Sequence, residues 1–121
     1  MDKAQAIQRF WNSFEVPAYD ENTVPSTAGY PRLTYEYSES GFDEPVILTA
    51  SLWYMSTSWA DITLKAHEIS QYIGTGGCLE PCDFGAIWIN RSTPFAQRMG
   101  DPDGNLRRML ITVVAEYLTT D

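Results

Sequence analysis

The chain reads as an α+β protein, ordered α-β-β-α-β-β. Two helices lie on one face of a mainly antiparallel four-stranded sheet. Three observations predict this. Apolar residues recur at helical spacing near the N-terminus and again from Trp59 to Ile73, and they alternate with polar residues at period two in the runs 31–54 and 85–118. Turn-forming clusters separate these runs. With 121 residues, no repeat and no long linker, the chain is a single domain, 1–121. It divides into an N-terminal helix at 2–14, an irregular segment at 15–30 and a sheet-and-helix core at 31–119.

In the first helix, Ile7, Phe10, Trp11 and Phe14 fall at i, i+3, i+4 and i+7, which places them on one face. Pro17 ends it, and "VPAYDENTVPSTAGYP" supplies three prolines, a glycine and several polar residues, the composition of an exposed irregular segment. In "RLTYEY", Leu33, Tyr35 and Tyr37 alternate with Arg32, Thr34 and Glu36, as in a half-buried strand. In "PVILTASLWY", Val46, Leu48, Ala50 and Leu52 take one face and Ile47, Thr49, Ser51 and Trp53 the other. The two runs predict an antiparallel hairpin.

The second helix follows in "STSWADITLKAHEISQYIG". Ser58 is its expected N-cap, Asp61 favours the positive end of its dipole, and Gly74 stands just past its C-terminus. Trp59, Ile62, Ala66, Ile69 and Ile73 form its buried stripe. A glycine-rich loop then leads to a third strand, "GAIWINR", and to a fourth, "RRMLITVVAEYL", whose length and β-branching suit a central position.

Composition narrows the chemistry. Eight basic against sixteen acidic residues give a net charge of −8, which argues against wrapping a phosphate backbone. No apolar run approaches the roughly 20 residues of a membrane span, and the N-terminus lacks the apolar core of a secretory signal. The expectation is therefore a soluble chain with no membrane partner, working inside a cell or in an assembly formed there. Cys78 and Cys82, spaced C-x3-C with the single distant His67, make a poor zinc set, and two free thiols are expected.

No catalytic motif emerges. His67 falls about 120° from the centre of the second helix's buried stripe, the place of a solvated or border residue. "GTGG" follows a helix instead of opening one, so it offers no helix N-terminus to phosphate. The pairs Asp20-Glu21 and Asp43-Glu44 sit in turn-rich segments and read as solvated loop. Asp101 and Asp103 resemble part of a calcium loop, but the glycine comes at the fourth position and Ala115 stands where a bidentate glutamate should be. Asp-Pro-Asp-Gly fits a type I turn. No catalytic residue, metal site or cofactor is expected.

What remains is surface. Leu64 points away from the helix stripe, among Asp61, Glu68 and Gln71, and one sheet face carries Ile47 and Trp53. The stretch "PFAQRMGDPDGNLRRML" gathers Arg98, Arg107 and Arg108 with Pro94, Phe95 and Met99 around its turn. Arginine and aromatic side chains are favoured interface anchors. Pro94, Phe95, Arg98, Met99, Arg107, Arg108, Leu64 and Trp53 are accordingly the candidate protein-interface residues, with a solvated loop as the plainer alternative.

Four phrases occur in order: "YPRLTYEY", "LTASLWYMSTSWADI", "GAIWINRSTPFAQRMGDPDGNLRRM" and "VVAEYLT". The succession, from Tyr30 to Thr119, resembles the small neck proteins of long-tailed bacteriophages of Gram-positive hosts. These are the tail terminator, or tail-to-head joining, proteins, also described as minor structural proteins. "SLW…STSW" and "PFAQRM" carry most of the likeness.

The resemblance implies an α+β virion protein that forms a homo-oligomeric, hexameric ring. Such a ring ends tail-tube growth and presents a surface to the head connector or stopper protein. It implies a place at the neck of the virion after assembly in the host bacterial cytoplasm, with DNA passing through without specific binding. It brings no catalytic residues. A neighbouring connector or head-completion protein is one alternative. A non-virion assembly chaperone or binding module is another, and a small metal enzyme using Asp101 and Asp103 is a third.

Overall fold

Asp2 opens the first helix, α1 (Lys3–Asn12), through a capping box: its carboxylate accepts from the Gln5 amide while the Gln5 side chain returns to the Asp2 amide. The face predicted for this helix (Ile7, Phe10, Trp11 and Phe14) is buried. The computed structural model describes residues 1–42 and 44–121. Asp43, of the Asp43-Glu44 pair, lies outside the described residues.

Among the described residues six strands form one sheet: β1 (Ala18–Asp20), β2 (Arg32–Tyr35), β3 (Val46–Met55), β4 (Cys78–Cys82), β5 (Gly85–Met99) and β6 (Leu106–Thr119). The second helix, α2 (Ala60–Ile73), falls between β3 and β4 in the chain. The expected four-stranded sheet in the order α-β-β-α-β-β is therefore corrected to six strands in the order α-β-β-β-α-β-β-β. Across the sheet the order is β1-β2-β3-β6-β5-β4. It is a mixed sheet, because β1 runs parallel to β2 while the other neighbours are antiparallel.

The two additional strands have local causes. β1 lies inside the segment expected to be irregular; Leu33 N–H donates to Pro17 O and Glu21 N–H to Tyr35 O, fixing it beside β2. β4 occupies "CLEPC", within what reads as a glycine-rich loop, and it turns directly into β5. Phe84 and Gly85 both take positive φ at that turn. Gly85 has a steric reason to be glycine: a Cβ there would lie 2.0 Å from Leu118 O.

The stretch around the arginines is also more regular than expected. β5 runs on through "STPFAQRM" after a register shift between Arg91 and Ala96, leaving only 100–105 as the connection to β6.

β6 is central, and its burial alternates along its length. Met109, Ile111, Val113, Ala115, Tyr117 and Thr119 are buried, and the residues between them are half-buried. The buried set faces Leu48, Ala50 and Leu52 of β3 and Ile87 and Ile89 of β5. Ile62, Ala66, Ile69 and Ile73 of α2 and the apolar face of α1 complete this one core. The helices meet where Tyr72 packs edge-on to Phe14, at 5.3 Å between ring centroids. The opposite sheet face has no helix over it among the described residues, and there Ile47 is 62 % exposed. No helix among the described residues is long and apolar enough to cross a membrane.

α1 also guards both sheet edges. At β1, Gln8 Nε2 donates to Ala18 O and Asn12 Oδ1 accepts from Ala18 N–H, at 2.8 and 3.1 Å. At β4, Arg9 Nη2 donates to Pro81 O at 2.8 Å, and Pro81 has no N–H to offer. Side chains of one helix thus occupy backbone groups that an incoming strand would need.

Candidate interaction surface

Alternation along a strand sends consecutive side chains to opposite faces, so Arg107 and Arg108 cannot serve one patch. Arg107 lies on the helix-bearing side, as does Arg98, which pairs in register with the buried Met109. Both guanidiniums reach Trp59 at the start of α2, with centroid distances of 4.8 Å for Arg98 and 5.3 Å for Arg107. Arg107 Nη2 also donates to Thr57 O at 2.8 Å. Its Nε is buried without a partner among the described residues. Trp59 is therefore a platform for two cations.

Arg108 belongs to the uncovered face. Register places Arg32, Trp53, Arg108 and Met99 in one row across β2, β3, β6 and β5. Arg108 stacks on Trp53 at 4.9 Å, and its Nε donates to Ser51 Oγ at 3.0 Å. Trp53 Nε1 donates to Thr34 Oγ1 at 2.9 Å, so the indole is held from both sides.

The other candidates stand apart. Pro94 is exposed at the β5 irregularity. Phe95 is half-buried against the core and borders a cleft of about 370 Å³ with Gly74, Thr75, Asn90 and Arg91. Leu64, 61 % exposed, is on the solvent side of α2. The structure thus brings Arg98 and Arg107 together on Trp59, and Trp53, Arg108 and Met99 together on the opposite face. It leaves Pro94, Phe95 and Leu64 outside both groups.

Residues weighed for catalysis are occupied differently. His67 is exposed and makes no hydrogen bond or ion pair among the described residues. Asp101 and Asp103 each accept from the backbone N–H two residues on, both at 2.9 Å, which builds the turn. No group of three His, Cys, Asp or Glu side chains among the described residues is placed to hold a metal. Cys78 and Cys82 are free thiols at the two ends of β4. Burial, then the Glu80 charge, pushes Cys78 up to about 11.

Three features have no clear trace in the sequence. Trp59 belongs to the helical stripe by periodicity, yet it stacks with two arginines distant in the chain. Glu80 is a buried carboxylate, bonded by Tyr72 OH at 3.0 Å and paired with Arg9 at 3.3 Å. The neighbouring Glu36 carboxyl, then partial desolvation, holds the Glu21 carboxyl above the ordinary range. Glu21 is exposed in a turn, as the sequence reading has it; its neighbour Glu36 is fifteen positions away in the sequence.

No protein-family model and no curated protein matches the chain. Among solved structures, the fold is similar to a chain in the virion of native gene transfer agent (GTA) particle. The TM-score is 0.56 and the identity 14%, over 93% of this chain and 89% of that one. At that identity the likeness is one of fold.

Proposed function

We propose that this chain is a virion structural protein, a tail terminator that caps the tail tube as a ring and joins the tail to the head connector. The observation that carries the reading is the fold it shares, over nearly its whole length, with a chain of a virion particle. The phrases between Tyr30 and Thr119 support the finer assignment through their resemblance to phage neck proteins. The surface suits it too. The arginine platforms and an uncovered sheet face offer distinct patches, and a ring needs two different patches that meet head to tail. A net charge of −8 suits a lumen through which DNA passes without adhering.

The test is a reconstruction of particles that carry this chain. Density for it as a ring between tail tube and head connector is expected. Density solely at the distal tail tip overturns the terminator reading, and its absence from purified virions by mass spectrometry favours an assembly chaperone.

A further inference from the structure

The central strand β6 sends two charged side chains to the uncovered sheet face, Arg108 near its start and Glu116 near its end. The ion pairs among the described residues join the N-terminus to Asp83, Lys3 to Asp121, Arg9 to Glu80 and Lys65 to Glu68, and include neither of them. Arg108 makes one hydrogen bond among the described residues, from Nε to Ser51 Oγ, so its Nη1 and Nη2 groups are left to a partner. Trp53 holds that guanidinium in place from one side, at 4.9 Å. Glu116, beside Trp88 in the β5–β6 register, is half-buried with no partner for its carboxylate among the described residues.

Between the two charges the strand is symmetric in kind. Its outward residues run Arg108, Leu110, Thr112, Val114 and Glu116, which is cation, aliphatic, threonine, aliphatic, anion. Thr112 is the midpoint, four residues from each charge. Reversed, the series keeps its aliphatic positions and exchanges its charges, so it complements its own reverse. All five side chains are half-buried, and register sets more apolar surface beside them: Ile47 next to Val114, Met99 next to Arg108 and Trp88 next to Glu116. Stacked sheets lie about 10 Å apart with their strands within about 30° of one another. A twofold axis at Thr112, lying across the strands, therefore lays β6 antiparallel over β6 of a second copy. Arg108 then stands over the second copy's Glu116, Leu110 over its Val114 and Met99 over its Trp88, a favourable sulfur–aromatic pairing. Arg32 and Glu36 share the face but stand at the β2 side, two strands from that line.

We propose that the uncovered sheet face packs against the same face of a second copy of this chain, β6 over β6 about Thr112, with Arg108 and Glu116 pairing across both ends. The occupant is a second copy because the order of charges along β6 complements itself, and such a contact closes at two subunits. Pairing through strand edges is a poor competitor, because α1 side chains occupy backbone groups at both edges of the sheet. The proposal goes beyond the ring reading and does not rest on it, since a ring needs two different patches and this one is self-complementary.

The test uses sedimentation of the full chain at rising concentration. Wild type is expected to form a dimer and stop there. Arg108→Glu and Glu116→Arg should each dimerise about tenfold or more weakly, because like charges then meet at both ends. Their equimolar mixture should recover the wild-type affinity as a one-to-one dimer, since each supplies the charge that the other lacks. One chain carrying both replacements should recover it too. A mixture no better than its parts overturns the pairing, as does a single variant that dimerises like wild type. Wild type that remains monomeric also overturns it, and leaves the face to a different protein. Arg108 packs on Trp53, so circular dichroism checks each variant's fold. If Arg108→Glu is unfolded, Ile47→Lys takes its place: the position is exposed, so the fold should tolerate the charge while the dimer weakens by as much. The terminator reading is judged on particles, so a monomeric chain in solution sinks the pairing and leaves that assignment standing.

Discussion

Arg108 lies over the ring of Trp53, 4.9 Å from its centroid, and the two residues are direct neighbours in the β3–β6 register. Looked at as sequence, Arg107 and Arg108 are a pair of surface charges. In the fold they are half-buried side chains on opposite faces, each stacked on a different tryptophan and each donating to a fixed oxygen. Removing either therefore changes packing as well as charge.

Arg107→Ala should cost about 1–3 kcal/mol, from charge-assisted hydrogen bonds to Thr57 O, Gly104 O and Leu106 O and one stacked cation. Leu64→Gln, at an exposed helix position, should stay within about 0.5 kcal/mol. Urea denaturation of both variants checks the contrast. Equal costs would mean that the Trp59 platform does not stabilise the subunit. A variant with both Arg107→Glu and Arg108→Glu should likewise lose stability, before any effect on assembly is read.

How much of this was legible depends on distance along the chain. Both helices announce themselves, because i, i+3, i+4 spacing is local; Ile62, Ala66, Ile69 and Ile73 are all buried. β1 does not, because three residues behind Pro17 carry no period and are defined by a parallel partner and by Gln8 and Asn12. β4 is hidden by its proline and by the glycines before it, although it forms a tight hairpin with β5. The arginine-rich stretch could be singled out by composition. Its division between two faces follows from strand alternation, which becomes visible once β5 and β6 are known to run through it. Trp59 as a platform depends on a tertiary crossing that no local pattern encodes.

Glu21 and Glu36 should leave a mark on the pH dependence of stability. The folded state raises the Glu21 pKa above its unfolded value, so between those two values the native protein binds more protons than the unfolded chain. Stability should then fall as pH rises from the ordinary glutamate range through the raised value. Glu36→Gln removes the like charge and should flatten that slope. Urea midpoints from about pH 4 to about pH 7 span the window set by the ordinary glutamate pKa. An unchanged slope in the variant would show that the two carboxyls do not interact.

The glycines give a paired test of backbone geometry. Gly85 takes φ 153°, and an added Cβ would lie 2.0 Å from Leu118 O, so Gly85→Ala should destabilise by about 2 kcal/mol or more. Gly104→Ala meets nothing within 4 Å and should be neutral or stabilising by up to about 1 kcal/mol. Thermal melts of the two variants should move in opposite directions or differ plainly in size. Equal shifts would contradict the close approach of β5 to β6 at that point.

The thiols offer a check on β4 itself. A disulfide needs Cα atoms within about 7 Å, whereas four steps along a strand span about 13 Å. Cys78 and Cys82 close the two ends of that strand, so mild oxidation should leave the monomer's mass unchanged instead of lowering it by two hydrogens. Because Cys78 is pushed up to about 11 by burial and by Glu80, its thiolate is scarce near neutrality. Its modification by a disulfide reagent should therefore be slow and should quicken with rising alkalinity. Glu80→Gln should speed that reaction at fixed pH, since it removes the charge that opposes the thiolate. Rapid formation of an intrachain disulfide in the native protein would mean that β4 is not a strand.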